Sequence, residues 1–154
     1  MLAVWFFLAG AFGSGPETDL VEPEGDIVSL ATDPAFCNLA RASSVALTDL
    51  ARNYRQHSGE CVAVRGWWTG RALFASAEDA EIPGAYRIER VAGHRLGIYG
   101  DDSTLAAARR EPRQVTAVGL VSDCERFEGG IHGYCHSVPR GGFLILGEVH
   151  PAGR

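Results

Sequence analysis

The run Cys61-Val62-Ala63-Val64-Arg65-Gly66-Trp67-Trp68 sets the tightest limit on what this chain can fold into. Val62, Val64 and one of the two tryptophans alternate with smaller or polar residues, the period-two pattern of a strand. A glycine inside such a pattern marks a bulge or a sharp curl. The strand is therefore expected to bend at Gly66 or Gly70 and to continue through Arg71-Ala72-Leu73-Phe74-Ala75. Curled strands of this kind belong to small closed barrels. Tyr86 to Glu89 and Arg95 to Tyr99 read as two further strands around a turn at Gly93-His94. Gln114 to Val121 alternates Val115, Ala117, Gly119 and Val121 against Thr116, Val118 and Leu120, and Phe143 to Val149 supplies a closing strand. The pattern predicts a mostly β fold, a small barrel with short helices.

The helices are expected to be minor. Asp33 followed by Pro34 is an N-cap and N1 pair for a turn through Phe36, Cys37 and Leu39. Ser44 to Leu47 reads as a short strand, after which Thr48 or Asp49 caps a helical turn with Leu50, Ala51 and Tyr54 that Ser58-Gly59 ends. Ala77 to Pro83 reads as a polar excursion. Asp101-Asp102-Ser103 is a start signal for a helix over Thr104 to Arg110, stopped at Pro112. Ser122 to Gly142 reads as one long loop.

Upstream, Leu2 to Phe12 is an unbroken apolar run ending in Gly13-Ser14-Gly15-Pro16, which matches a secretory h-region and its small-residue cleavage site. No arginine or lysine precedes it, and it is too short to span a bilayer as a stable helix. The expected organisation is a signal peptide over 1–15, an acidic tether over 16–33 and one domain over 34–154, with no transmembrane segment in the mature chain. The tether carries Glu17, Asp19, Glu22, Glu24 and Asp26 among prolines and a glycine, too little apolar surface to order itself. Export places the domain in the periplasm or outside the cell, where an even cysteine count usually means disulfides. Cys37, Cys61, Cys124 and Cys135 allow three pairings. A Cys124–Cys135 bridge would close the base of the long loop, which leaves Cys37 with Cys61.

Composition narrows function by exclusion. All 14 basic residues are arginine, so Schiff-base lysines, phosphate-loop lysines and lysine-rich nucleic-acid arms are ruled out. A net charge of -5 argues against nucleic acid as a partner, because such binding draws most of its free energy from neutralised phosphates.

Val45-Ala46-Leu47-Thr48-Asp49-Leu50, Tyr54, Gly59 and Val62-Ala63-Val64-Arg65-Gly66 together resemble the entry to small exported bacterial OB-fold-like domains. There a strand and a short helix lead through a glycine into the first long barrel strand. Val115 to Val121 and Leu144 to Val149 are similar to the last two strands of such barrels, so the resemblance covers Val45 to Pro151. It implies an OB-like barrel, an architecture that hosts unrelated functions. The long Ser122 to Gly142 connection, with its two cysteines, departs from the pattern, and the fold is carried over without a ligand.

Two constellations could carry chemistry. Trp67, Trp68, Arg71 and Tyr99, with Arg65 nearby, could form an aromatic and basic platform for a sugar, a base or a peptide. Against that, adjacent strand residues face opposite ways, which would put one tryptophan in the core. The segment Cys124 to His136 offers a metal reading through His132, His136 and Cys135, competing with the disulfide that would oxidise the thiols. Asp101-Asp102-Ser103 with a histidine elsewhere is the only hint of a hydrolase, and no nucleophile elbow or triad spacing supports it. The expectation is an exported, non-catalytic binding or interaction module, without cofactor, for a peptide, glycan or protein ligand. A metal-binding protein and a small hydrolase are the alternatives.

Overall fold

Four stretches rich in β-branched and aromatic residues carry most of the sheet in the computed structural model, which describes residues 33, 35–100, 105–106, 111–125, 135, 138 and 140–152. The strands are β1 (Ser43–Ser44), β2 (Cys61–Thr69), β3 (Ala72–Phe74), β4 (Arg95–Tyr99), β5 (Arg113–Asp123) and β6 (Gly142–Pro151). They run in the order β1-β2-β3-β4-β6-β5, and β5 pairs back onto β2. The last pairing closes β2 to β6 into a five-stranded barrel. All its pairings are antiparallel except β4 with β6, and β1 adds a short parallel edge beside Val62 and Ala63. The expected small, mostly β barrel with short helices and disulfides is what the chain forms.

Period-two alternation fills the barrel. Val62, Val64 and Trp68 of β2, Leu73 of β3, Leu96 and Ile98 of β4, Val115, Ala117 and Val121 of β5, and Leu144 and Leu146 of β6 form one buried cluster. Gly147 is the extra residue of a bulge, since Glu148 faces Val118 while Leu146 faces Gly119. The backbones approach so closely there that a Cβ on Gly119 would lie 2.1 Å from the Ile145 carbonyl oxygen. Helix α1 (Leu47–Asn53) plugs the barrel with Leu47 and Leu50. Gly66 makes room, because a Cβ there would meet Leu47 Cδ1 at 2.8 Å.

The opposite strand faces are also apolar and also buried. Ala63, Ala72, Phe74, Val118, Leu120, Phe143 and Ile145 join Cys37, Ala80, Ala85, Val91 and Val138 in a second cluster outside the barrel. Two bridges fasten parts of this coat: Cys37–Cys61, with S–S 2.05 Å, and Cys124–Cys135, with S–S 2.13 Å. Both pairings agree with the one preferred from sequence. No helix among the described residues is long and apolar enough to cross a membrane.

Several local expectations are corrected. The strand read at Ser44 to Leu47 shrinks to Ser43–Ser44, and Leu47 begins α1 behind Ala46, which makes no side-chain cap in place of the expected Thr48 or Asp49. After β2 the chain does not continue along its direction. It reverses through Gly70-Arg71, with Gly70 at φ 55°, into β3, so that Thr69 faces Ala72. Glycine first in a two-residue turn is a favoured hairpin arrangement. The polar stretch after residue 76 contains helix α2 (Ala77–Glu81), capped by Ser76, whose hydroxyl accepts the Asp79 N–H at 3.1 Å. Tyr86 to Glu89 is not a strand: 3₁₀ helices cover Ala85–Arg87 and Glu89–His94. Near Asp33 the expected capped turn is present: the Asp33 side chain accepts the Ala35 N–H at 2.8 Å, and its carbonyl accepts those of Phe36 and Cys37 at 2.9 and 3.0 Å. The leader, the tether up to residue 32 and most of 101–110 lie outside the described residues, although Leu105 and Ala106 are helical.

Candidate functional site

The register of β2 against β5 brings Trp68 directly opposite Arg113 at one end of the barrel. The Trp68 indole is buried, and its Nε1–H donates to the Gly70 carbonyl at 2.9 Å, which fixes the ring beside the hairpin turn. The Arg113 guanidinium lies over that ring, 5.0 Å from its centre. A cation over an indole face is held by the ring quadrupole. Beside this pair opens a pocket of about 430 Å³ lined by Trp68, Arg113, Gln114, Val115, Gly147, Val149 and Pro151. That volume falls within the range of small-ligand sites.

Each wall follows from the strand geometry. Val115 faces Pro151 across β5 and β6. Gly147, the bulged residue, contributes no side chain and leaves space below Val149. Gln114 is exposed, and its Oε1 accepts a hydrogen bond from Arg65 Nη2 at 3.0 Å, so its amide nitrogen remains a donor. Arg113 Nε is buried and meets no hydrogen-bond acceptor among the described residues. The pocket therefore combines an aromatic floor, aliphatic walls and two donor groups, chemistry suited to holding a ligand that carries an acceptor beside an apolar surface.

The residues singled out from sequence are divided by the fold. Trp68 belongs to the barrel interior, whereas Trp67 is half-buried and packs with Tyr99 against the outer cluster. Tyr99 meets the Phe143 ring at 5.7 Å between centres. Its phenol is raised above the ordinary tyrosine value by burial, with the Arg71 charge pulling the other way. Arg71 is exposed in the β2–β3 turn. The four do not make one platform, since Trp68 points away from the face that carries Trp67 and Tyr99. Cys135 is bonded to Cys124 and has no thiolate to offer a metal, while His132 and His136 lie outside the described residues.

Arg113, Gln114 and Pro151 went unnoticed in the sequence. Their only signal is register: Arg113 becomes interesting once it is known to face Trp68, and that pairing spans the whole middle of the chain. The chain matches no known protein family and no curated protein.

Proposed function

We propose that this chain is an exported, non-catalytic binding module on an OB-type barrel, and that the Trp68–Arg113 pocket takes a short apolar peptide segment presenting a carbonyl or carboxylate oxygen. Export is supported by the leader-like run at Leu2 to Phe12 together with two closed disulfides. The OB assignment is supported by the five-stranded closure of β5 onto β2 and by the out-of-sequence order β4-β6-β5.

The observation that carries the ligand reading is the buried Arg113 Nε–H. A buried donor without an acceptor costs about 1–3 kcal/mol, and a ligand oxygen arriving at the pocket would recover it. Val115, Val149 and Pro151 would meanwhile cover an aliphatic side chain. A sugar would instead favour more polar walls.

The test is titration of the oxidised domain with N-acetylvaline and, separately, with glucose, following the arginine Nε–H and tryptophan Nε1–H resonances. N-acetylvaline is expected to shift the Arg113 and Trp68 signals saturably. Arg113→Gln should weaken that response roughly tenfold, as loss of one charge-assisted hydrogen bond does. A saturable response to glucose alone would replace the peptide reading with a glycan, and no response to either would remove the pocket as a ligand site.

A further inference from the structure

We infer a second site, at the other end of β6, that binds a tetrahedral oxyanion of the kind carried by phosphate and sulfate esters. A cleft of about 300 Å³ lies between α1, the start of β4 and the start of β6, lined by Arg52, Tyr54, Gly93, Arg95, Arg140 and Gly141 among others. Every charged side chain among the described residues lining it is an arginine. In a chain with net charge -5, where 19 carboxylates outnumber 14 arginines, that is a local reversal of sign.

The three arginines come from separate elements and are held differently. Arg95 is buried at 4% exposure, and its guanidinium donates to the carbonyls of Ala85, at 3.2 Å, and Ile88. These contacts fix a positive charge beneath the cleft. Arg52, exposed on α1, lies across Gly93, where an added Cβ would come within 3.3 Å of its Nε. Arg140 is exposed just before β6. Among the described residues no carboxylate lies within ion-pair distance of Arg52 or Arg140, whereas Arg55, three residues beyond Arg52, is paired to Glu125 at 2.5 Å. The fold therefore neutralises the neighbouring arginine and leaves these two facing the cleft.

Guanidinium groups bind oxyanions through paired N–H donors in a fixed fork, and several converging on one point favour a doubly charged group over a single carboxylate. The cleft volume exceeds that of a free anion, which leaves room for the residue that carries the ester. Gly142 forms the back wall because a Cβ there would collide with Tyr54 at 2.4 Å. The site is separate from the Trp68–Arg113 pocket: the two lie at opposite ends of β6, and neither shares a lining residue with the other.

Calorimetric titration of the full oxidised domain with glucose 6-phosphate, glucose 6-sulfate, inorganic phosphate and glucose tests this. Both esters are expected to bind and glucose to give no heat at this site, and a preference for one ester identifies the source of the oxyanion. Arg52→Gln and Arg140→Gln should each weaken ester binding roughly tenfold. Gly93→Ala should weaken it less, by displacing Arg52, and Arg113→Gln should leave it unchanged. Equal weakening by Arg41→Gln, at an exposed arginine that does not line the cleft, would reduce the effect to general charge attraction and overturn the site. So would the absence of ester binding at millimolar concentration in a domain whose melting temperature shows it folded.

Discussion

The barrel has two apolar faces, and they are buried by different means. The inner face closes on itself: Val64, Ile98, Val121 and Leu144 meet because the strands curl into a ring, with Leu47 and Leu50 as the plug. The outer face, with Phe74, Leu120, Phe143 and Ile145, is covered only because short helices and turns are brought over it. Those segments contribute single residues such as Cys37, Ala80, Ala85 and Val138. None has a core of its own. The inner layer thus follows from strand geometry, while the outer rests partly on covalent staples, at Cys37 and Cys135, and partly on Arg95, whose guanidinium donates to the Ala85 and Ile88 carbonyls. A small domain can thus bury both sides of a sheet by letting topology order one side and by tying down parts of the cover on the other with cystines.

A matched pair of leucines offers the strongest attempt to break this contrast. Leu144 faces inward and Leu120 outward, and both are buried, at 0% and 2% exposure. Leu144→Ala should cost about 4 kcal/mol, near the upper part of the range for buried leucine truncation, because the ring of strands cannot collapse into the void. Leu120→Ala should cost closer to about 2–3 kcal/mol, because the coat can settle onto the gap. Urea unfolding with the slope held common reads both. Equal losses would mean that the coat is packed as rigidly as the interior.

The bridges come next in size. On the chain-entropy model, removing Cys37–Cys61 by paired serine substitution should cost about 3.5 kcal/mol and removing Cys124–Cys135 about 2.8 kcal/mol. The difference reflects sequence separations of 24 and 11 residues. Hydrogen exchange separates this global effect from a local one. Without Cys37–Cys61, the Ala42 and Val45 amides, which bond to Asn38 and Ala63, should exchange long before those of Val118 and Leu120. Simultaneous exchange would show that coat and barrel open as one unit.

The same division decided what could be read from the sequence. β4, β5 and β6 were legible nearly to their ends because alternation is written into Val115-Thr116-Ala117-Val118 and its like. The coat was poorly legible. Helix α2 buries one residue, Ala80, and so shows no apolar stripe. Tyr86 and Ile88 alternate like a strand yet dock as separate anchors on the outer cluster. Gly70 was recognised as a breaker, but whether the chain would curl or reverse there depends on β3 finding β4, which is tertiary information. At the pocket, Trp68 was visible as an aromatic residue, while Arg113 gained meaning only from its place opposite that ring.

Tyr99 gives the finest measure of how dry the coat is. Its ring packs on Phe143 in the outer cluster, and burial raises its phenol above the ordinary value of 10.0. A neutral phenol held protonated by the fold contributes stability that is fully present below the unfolded value and is lost as pH climbs through the folded one. In a spectrophotometric titration, Tyr99 should therefore ionise above pH 10, and Tyr99→Phe should remove that step. The Arg71 charge works in the opposite direction, so Arg71→Gln should move that step further up. If Tyr99 instead titrates at the ordinary value while Leu120→Ala remains costly, the coat is well packed but wet at its rim, and the staples order chain without excluding water there. If it titrates high in the intact domain and normally once Cys37–Cys61 is removed, the bridge itself is what keeps this side of the barrel dry.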